Sequence, residues 1–350
     1  MNKKTQKKIL KEAQKNPIII VALVLVTLLV MGGLFIYYWF FAPDNEPPIY
    51  EIPEGTAEFH YIDVGQGDST LIMADGETVL IDTGVSDSDD TVIKYLQSKE
   101  IKTIDYFIIT HFDADHYGEA VDILDAFSVE TLIIPDQVKY NSDKKEQVSY
   151  TKFMQKVAEL PEIYVCVVEN SDTIGDRIEI DDIIDIDSDD DRIISIGKID
   201  PNIEGDKADL VLEFLGPIAD SYTDDNDYSI IFTARWGNNK LLFTGDAEKA
   251  AEKDFVQRYS TNLSKYIDCD VFKAGHHGSR TSSRQEILDA ASPEYIIISC
   301  GADNKYGHPH SEAIESFETT VGKDNIYRTD EQGTIVLITD GEKITISTEK

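Results

Sequence analysis

The sequence predicts an α/β domain over residues 57–350, carried behind a single apolar amino-terminal span. Three observations lead there. From Ala57 onward, short apolar β-branched runs alternate with helical patterns, as in domains that lay helices against sheets. Several of those strands deliver Asp or His at their carboxyl ends, where α/β sheets place their chemistry. From Pro17 to Ala42 no residue is charged, a stretch long enough to cross a bilayer as a helix.

Residues 1–16 form a basic tail with Lys3, Lys4, Lys7, Lys8, Lys11 and Lys15. The span over 17–42 ends in Tyr37, Tyr38 and Trp39, which suit the membrane interface. It is too long for a signal-peptide core and no small-residue cleavage site follows, so a retained anchor is expected. Lysines before it and Asp44, Glu46, Glu51 and Glu54 after it leave the amino terminus in the cytoplasm. The large domain is then extracellular, on a single-pass protein of the cell membrane. Pro43, Pro47, Pro48 and Pro53 stiffen a stalk over 43–56.

The 350 residues include 66 acidic and 32 basic side chains, a formal charge of -34. Such a chain repels a polyanion at long range, which disfavours nucleic-acid binding through a broad basic patch. Cys166, Cys269 and Cys300 are far apart and lack zinc-ribbon spacing, so they are expected to be buried.

In the domain, 59–64 and 69–73 predict a hairpin pair around Gly65-Gln66-Gly67-Asp68, and 78–81 a third strand ending in Asp82-Thr83-Gly84. A buried strand over 104–110 follows. Further strands are expected at 130–134, 163–168, 209–215, 228–235, 240–244, 269–273, 294–299, 325–328, 333–339 and 342–348. Helices are expected at 90–99, 118–127, 149–160, 247–260, 283–291 and 311–319. The acidic run from Asp181 to Asp191 lies in an insertion of about 181–207. It lacks the closing Glu of a calcium loop and is expected to be a solvated loop.

The chemistry centres on His111-Phe112-Asp113-Ala114-Asp115-His116, which directly follows the strand over 104–110. If that segment starts extended, His111, Asp113 and Asp115 face one way. Two imidazoles and two carboxylates at a strand mouth suit a divalent metal, and burying them unpaired would be costly. Asp246 in Leu-Leu-Phe-Thr-Gly-Asp recurs at a strand end; alone it would read as a helix N-cap. Lys273-Ala274-Gly275-His276-His277-Gly278-Ser279 and Tyr306-Gly307-His308-Pro309-His310 supply the remaining histidines of the site.

These pieces, in this order, resemble the metallo-β-lactamase fold superfamily. Its hallmark H-x-H-x-D-H reads H-x-D-x-D-H here, with Asp113 where a histidine usually stands. The stretches YIDVGQGDSTLI, IDTG, THFDADHYG, FLGP, LLFTGDAE, KAGHHGSRTSS and YGHPH narrow the match to its ComEC-like branch, the domains found in DNA-uptake channel proteins. With a single apolar span, transport is not implied. The resemblance implies a four-layer αββα sandwich with a metal centre at one edge of the sheets. His111 and Asp113 would hold one metal, Asp115 and His116 a second. Asp246 would bridge them, and His277 or its neighbour His276 would complete the second site. Asp82 would orient ligands, and Asp68 would face the same cavity.

The superfamily's further metal-binding histidine, between the first cluster and the bridging Asp, has no counterpart here. Asn226 or Asp227 occupies roughly that place, so one or two metals per chain are expected. The extra carboxylate favours Mn²⁺ more than a histidine-rich site would, and Zn²⁺ remains compatible. The implied chemistry is hydrolysis by metal-activated water, with Asp115 or Asp246 accepting the proton. His308 or His310 would stabilise the leaving oxygen or bind phosphate, and Lys273, Ser279, Arg280, Thr281, Ser282 and Ser283 would add donors for an anion. The substrate expected is a small or polymeric phosphodiester. The alternatives are another surface ester, a β-lactam, or a surface binding protein without turnover.

Overall fold

Two β-sheets packed face to face put the ends of five strands along one rim. The structure, a computed structural model, describes residues 52–350 apart from 54, 87–89, 137–143, 169–192, 197–209 and 220. The expected tail, the span, the stalk up to residue 51 and most of the acidic insertion lie outside the described residues. Among the described residues no helix is long and apolar enough to cross a membrane.

The first sheet is built from β1 (Ala57–Tyr61), β2 (Thr70–Ala74), β3 (Glu77–Ile81), β4 (Thr103–Ile108), β5 (Ser128–Pro135), β6 (Tyr164–Val168), β14 (Ile335–Thr339) and β15 (Ile344–Thr348), in the order β15-β14-β1-β2-β3-β4-β5-β6. β1 pairs antiparallel with β2, as the hairpin pattern predicts, and β3 to β6 run parallel. Asp75 and Gly76, both at positive φ, make the two-residue turn between β2 and β3. The second sheet contains β7 (Ile193–Ile196), β8 (Leu210–Gly216), β9 (Ile231–Trp236), β10 (Asn239–Phe243), β11 (Val271–Lys273), β12 (Tyr295–Ile298) and β13 (Ile326–Arg328), in the order β13-β12-β11-β10-β9-β8-β7.

Strand alternation sorts the apolar side chains into layers. Phe59, Tyr61, Ile72, Val79 and Ile108 of one sheet meet Leu212, Phe214, Phe232, Trp236 and Phe243 of the other in a single core. Residues of opposite parity in the second sheet, among them Leu242, Phe272, Ile296 and Ile298, bury against Phe255, Leu288 and Phe317. Those come from α5 (Lys249–Arg258), α7 (Gln285–Ala291) and α8 (Ser311–Val321). In the first sheet Leu80, Ile104, Phe107 and Leu132 are likewise buried. So are Val92 and Leu96 of α1 (Thr91–Ser98), Ile123 and Leu124 of α3 (Ala120–Ala126) and Phe153 of α4 (Lys144–Ala158). The sandwich expected from the resemblance is therefore present. Cys269 and Cys300 are buried as expected, while Cys166 is only half-buried.

Four short elements carry too little periodicity to be visible in the sequence. They are α2 (Ala114–Tyr117), α6 (Leu263–Ile267), α9 (Thr329–Gln332) and β7, which lies inside the expected acidic insertion and pairs with β8. The first matters for the site. The extended alternation expected from His111 ends at Asp113, whose backbone is extended. Asp115 and His116 are presented by a helical turn instead.

That turn is pinned by close backbone approach. The Gly118 N–H donates to the Gly84 carbonyl at 2.9 Å, and a Cβ on Gly118 would lie 2.2 Å from the Ser86 nitrogen. A backbone neighbour cannot swing aside as a side-chain tip can. Gly118→Ala is expected to destabilise the protein by about 3 kcal/mol through overpacking, read as a lowered urea midpoint. An unchanged midpoint would show that the 84–86 segment yields freely.

Candidate metal centre

Three imidazoles reach the rim, and each is anchored through Nδ1. His116 Nδ1 donates to Asp82 Oδ2 at 2.7 Å. The Thr110 hydroxyl also donates to Asp82 Oδ2, at 2.6 Å, which leaves the hydroxyl oxygen to accept from His111 Nδ1 at 3.2 Å. His277 Nδ1 donates to the Ser299 carbonyl at 3.1 Å. With Nδ1 carrying the proton in all three, Nε2 is left as a lone-pair donor. These three Nε2 atoms, with Asp246 Oδ1 and Asp68 Oδ1, are buried and make no hydrogen bond.

Asp68, His116, Asp246 and His277 each bring one ligand atom to within 4.8 Å of the others, and all four are buried. His116 Nε2 lies 3.2 Å from Asp246 Oδ1, and His277 Nε2 lies 3.4 Å from both Asp246 Oδ2 and Asp115 Oδ2. Orphaned buried donors of mixed nitrogen and oxygen type fit a divalent cation. The electrostatics agree. Burial alone would lower the His277 pKa, yet Asp246 and Asp68 hold it up at about 10. Burial and the neighbouring His116 push His111 down to about 4, so it stays neutral. The carboxylates draw protons onto His116 and His277, and a bound metal would take the place of those protons.

The rest of the expected constellation divides. Asp82, expected to orient ligands, accepts from His116 Nδ1, is 1% exposed and also accepts the Thr110 N–H at 2.8 Å. Asp68 joins the central group itself, its Oδ2 taking a 2.8 Å bond from the buried Lys273 Nζ. Asp115 stands 3.4 Å from His277, and the charges of His277 and His116 outweigh burial to keep it ionised at about 2. Asp113 heads the helical turn, its carbonyl accepting from the His116 and Tyr117 N–H groups, outside the four-residue group. His276 lies between Asp246 and Glu248, with Nε2 3.6 Å from the first and Nδ1 3.0 Å from the second.

The structure turns other expected residues elsewhere. Asp227 Oδ1 accepts the N–H groups of Glu248 and Ala251 at 3.0 Å each, at the start of α5, and Asn226 is half-buried beside it. The hydroxyl run after His277, expected to offer donors to an anion, is committed to the protein. Ser282 donates to the Ala247 carbonyl, Ser283 accepts from Gly275, Ser279 pairs with Thr281, and Thr281 donates to Glu248. Lys273 is spent on Asp68 rather than on a substrate. Arg280 and Thr281 of that run are exposed, and the Arg280 guanidinium lies 3.7 Å from Glu312.

His276 and His277 both sit at positive φ, 46° and 54°, a strained pairing for non-glycine residues. The bonds from Ser282 and Ser283, with Glu252 accepting the N–H groups of Ser283 and Arg284, hold that turn. His308 faces the same mouth, its ring 5.3 Å from His276 and 6.0 Å from His277. Burial and the neighbouring imidazoles keep it neutral, at about 4. His310 accepts the Arg280 N–H on Nδ1 at 3.2 Å.

Sequence patterns did not point to Thr110, Ser229 or Glu248. Thr110 looks like the last residue of a buried strand, and Ser229 receives the Asp246 N–H at 3.0 Å from a distant loop. Glu248 looks like an ordinary acid at a helix start.

Residues 62–302 match the family model described as "Metallo-beta-lactamase superfamily". "ComE operon protein 3" of Bacillus subtilis is 28% identical over 305 residues, covering 82% of this chain and 34% of that protein. "Recombination protein 2" of Haemophilus influenzae is 28% identical over 270 residues, covering 76% and 27%. "Competence protein ComA" of Neisseria gonorrhoeae is 28% identical over 268 residues, covering 76% and 30%. The chain thus spans about a third of the length of the curated relatives it matches.

Asp82→Asn replaces a carboxylate acceptor with an amide and loosens the tautomer of His116. Its affinity for Mn²⁺ or Zn²⁺ is expected to fall 10- to 100-fold by calorimetric titration, with an unchanged far-ultraviolet circular dichroism spectrum. Equal affinities would remove Asp82 from ligand orientation.

Proposed function

The chain belongs to the metallo-β-lactamase superfamily, in its ComEC-like branch, and on that premise we propose that it is a metal-dependent hydrolase of phosphodiesters. The observation that carries the proposal is the set of bare Nε2 atoms of His111, His116 and His277 with Asp246, converging at one rim. Asp68, His116, Asp246 and His277 would hold the cation, with His111 and Asp115 adjacent and Asp113 at the head of the turn. Mn²⁺ or Zn²⁺ suits that donor set, one or two ions per chain. When bound, the metal polarises the ester and lowers the pKa of a water.

The protein's own groups complete the chemistry. Asp115, ionised and less buried than Asp246, accepts the proton of the attacking water. Its 3.4 Å contact with His277 holds the carboxylate toward the cluster. Neutral His308 offers an N–H to the leaving oxygen rather than a charge. His310, with Nδ1 occupied by Arg280, presents Nε2–H at the mouth. Asp246 is fixed from behind by Ser229, whose Oγ accepts its N–H at 3.0 Å, and Gly245 permits that approach, since a Cβ there would meet the serine at 2.9 Å.

The apolar run over 17–42 supports placing this domain outside the cell on a membrane anchor. The names of the relatives support a role linked to competence, with a small or polymeric phosphodiester as substrate. The net charge of -34 favours short substrates over long duplexes. A second possibility, binding without turnover, follows from the want of any histidine between His116 and His276.

Full-length protein in detergent with Mn²⁺ is expected to hydrolyse bis-p-nitrophenyl phosphate, and Asp115→Asn to lower kcat by about 10²- to 10⁴-fold. Metal-loaded protein that leaves the diester intact would refute the phosphodiesterase and support the binding role.

A further inference from the structure

We propose that Gln66 is a catalytic residue of the metal centre, its Nε2 amide donating to a non-bridging oxygen of the ester under attack; this rests on the hydrolase reading above. Gln66 Nε2 is buried and makes no hydrogen bond. Among the described residues, the other buried side-chain nitrogens without a bond are Nε2 of His111, His116 and His277 and Nδ1 of His308. Each of those is a ring nitrogen that can serve as an acceptor, whereas a carboxamide nitrogen can only donate. Gln66 Nε2 is thus the one obligate donor of the set, and the partner that would satisfy it is an acceptor.

Gln66 lies where the two walls of the centre meet. It stands two residues before Asp68, and a Cβ on its neighbour Gly67 would lie 2.5 Å from the Asp115 carbonyl oxygen. On the other side comes Gly301, two residues after the Ser299 that anchors His277. A Cβ on Gly301 would lie 2.6 Å from the Gln66 backbone nitrogen. The Gly301 N–H donates to Gln66 Oε1 at 3.3 Å. That N–H has nothing to accept with, so the carboxamide cannot be reversed and Nε2 is held away from Gly301. The amide is flanked by the segments that carry Asp68, Asp115 and His277.

The chemistry calls for such a donor. The hydroxyls after His277 are spent on bracing bonds, and Lys273 on Asp68. An ammonium among these carboxylates is captured by one of them, as Lys273 is; an uncharged amide is not. As the water oxygen bonds to phosphorus, the bond to the leaving oxygen breaks and the water's proton passes to Asp115. Charge then gathers on the non-bridging oxygens. A donor fixed in advance stabilises that charge without reorganising, and the amide keeps both of its protons throughout.

Two variants isolate the donor in full-length, Mn²⁺-loaded protein. Gln66→Glu keeps an acceptor for Gly301 but has no N–H; Gln66→Met has neither and brings no charge. A loss common to both therefore comes from the missing donor. Each is expected to lower kcat on bis-p-nitrophenyl phosphate about 10²- to 10³-fold. Each is also expected to weaken binding of inorganic phosphate about tenfold by calorimetry, with Mn²⁺ affinity unchanged. A loss in Gln66→Met alone would assign the side chain to the Gly301 bond, and one in Gln66→Glu alone to charge repulsion; either overturns the proposal. Mn²⁺ affinity that falls in step with kcat in both variants also overturns it, because Gln66 then shapes the metal group. Unchanged kcat and phosphate binding overturn it and leave the phosphodiesterase standing. If the wild type leaves the diester intact but both variants lose phosphate binding, the phosphodiesterase falls and Gln66 stands as the oxyanion donor.

Discussion

Asp82 is an ionisable side chain buried at the end of β3, and its two oxygens organise the first half of the metal centre. One takes the Thr110 N–H, the other the Thr110 hydroxyl and His116 Nδ1, and through that hydroxyl the anchoring reaches His111. A buried carboxylate is tolerated because three donors satisfy it. What the protein gains is two imidazoles with fixed tautomers and their lone pairs turned the same way. Backbone bonds lock the surrounding segments to one another: Asp68 to Asp115, Thr83 to His116, Gly84 to Asp68, and Gly118 to Gly84. The hairpin connection, the end of β3 and the helical turn after β4 thus behave as one rigid rim.

The second half of the centre is held by strain. Two successive histidines in the left-handed region would relax if the chain around them were loose. Serine hydroxyls and the buried Glu252 prevent that, at the cost of using up polar groups that a substrate would otherwise find. The anion-binding look of this segment is therefore a by-product of bracing. Arg280 and Arg284 reach the surface, where each meets a glutamate, Glu312 and Glu286.

Asp68 and Lys273 show a different economy. A second carboxylate enters the central group with a buried ammonium 2.8 Å behind it, so the local negative charge is partly offset before a cation arrives. That bears on a chain whose overall charge is strongly negative: the centre is not simply an acidic sink for any cation.

Much of this was legible in the sequence, because it depends on local periodicity. Alternating apolar residues marked nearly every strand, and Asp82, His111, Asp246 and His277 stood out as polar residues at the carboxyl ends of apolar runs. Motif order then implied the sandwich and its rim. What sequence could not show is which way polar side chains turn once the two sheets pack. Lys273 and Asp68 are 205 residues apart and meet only across the sandwich; Asp227 goes to a helix start; Ser279, Ser282 and Ser283 go inward. A four-residue helical turn over Ala114–Tyr117 has too few residues to show a period, yet it decides where Asp115 and His116 point. Local pattern determined the elements and the ligand types, while the direction of each donor was decided by tertiary packing, because hydrogen bonds between distant segments set side-chain orientation.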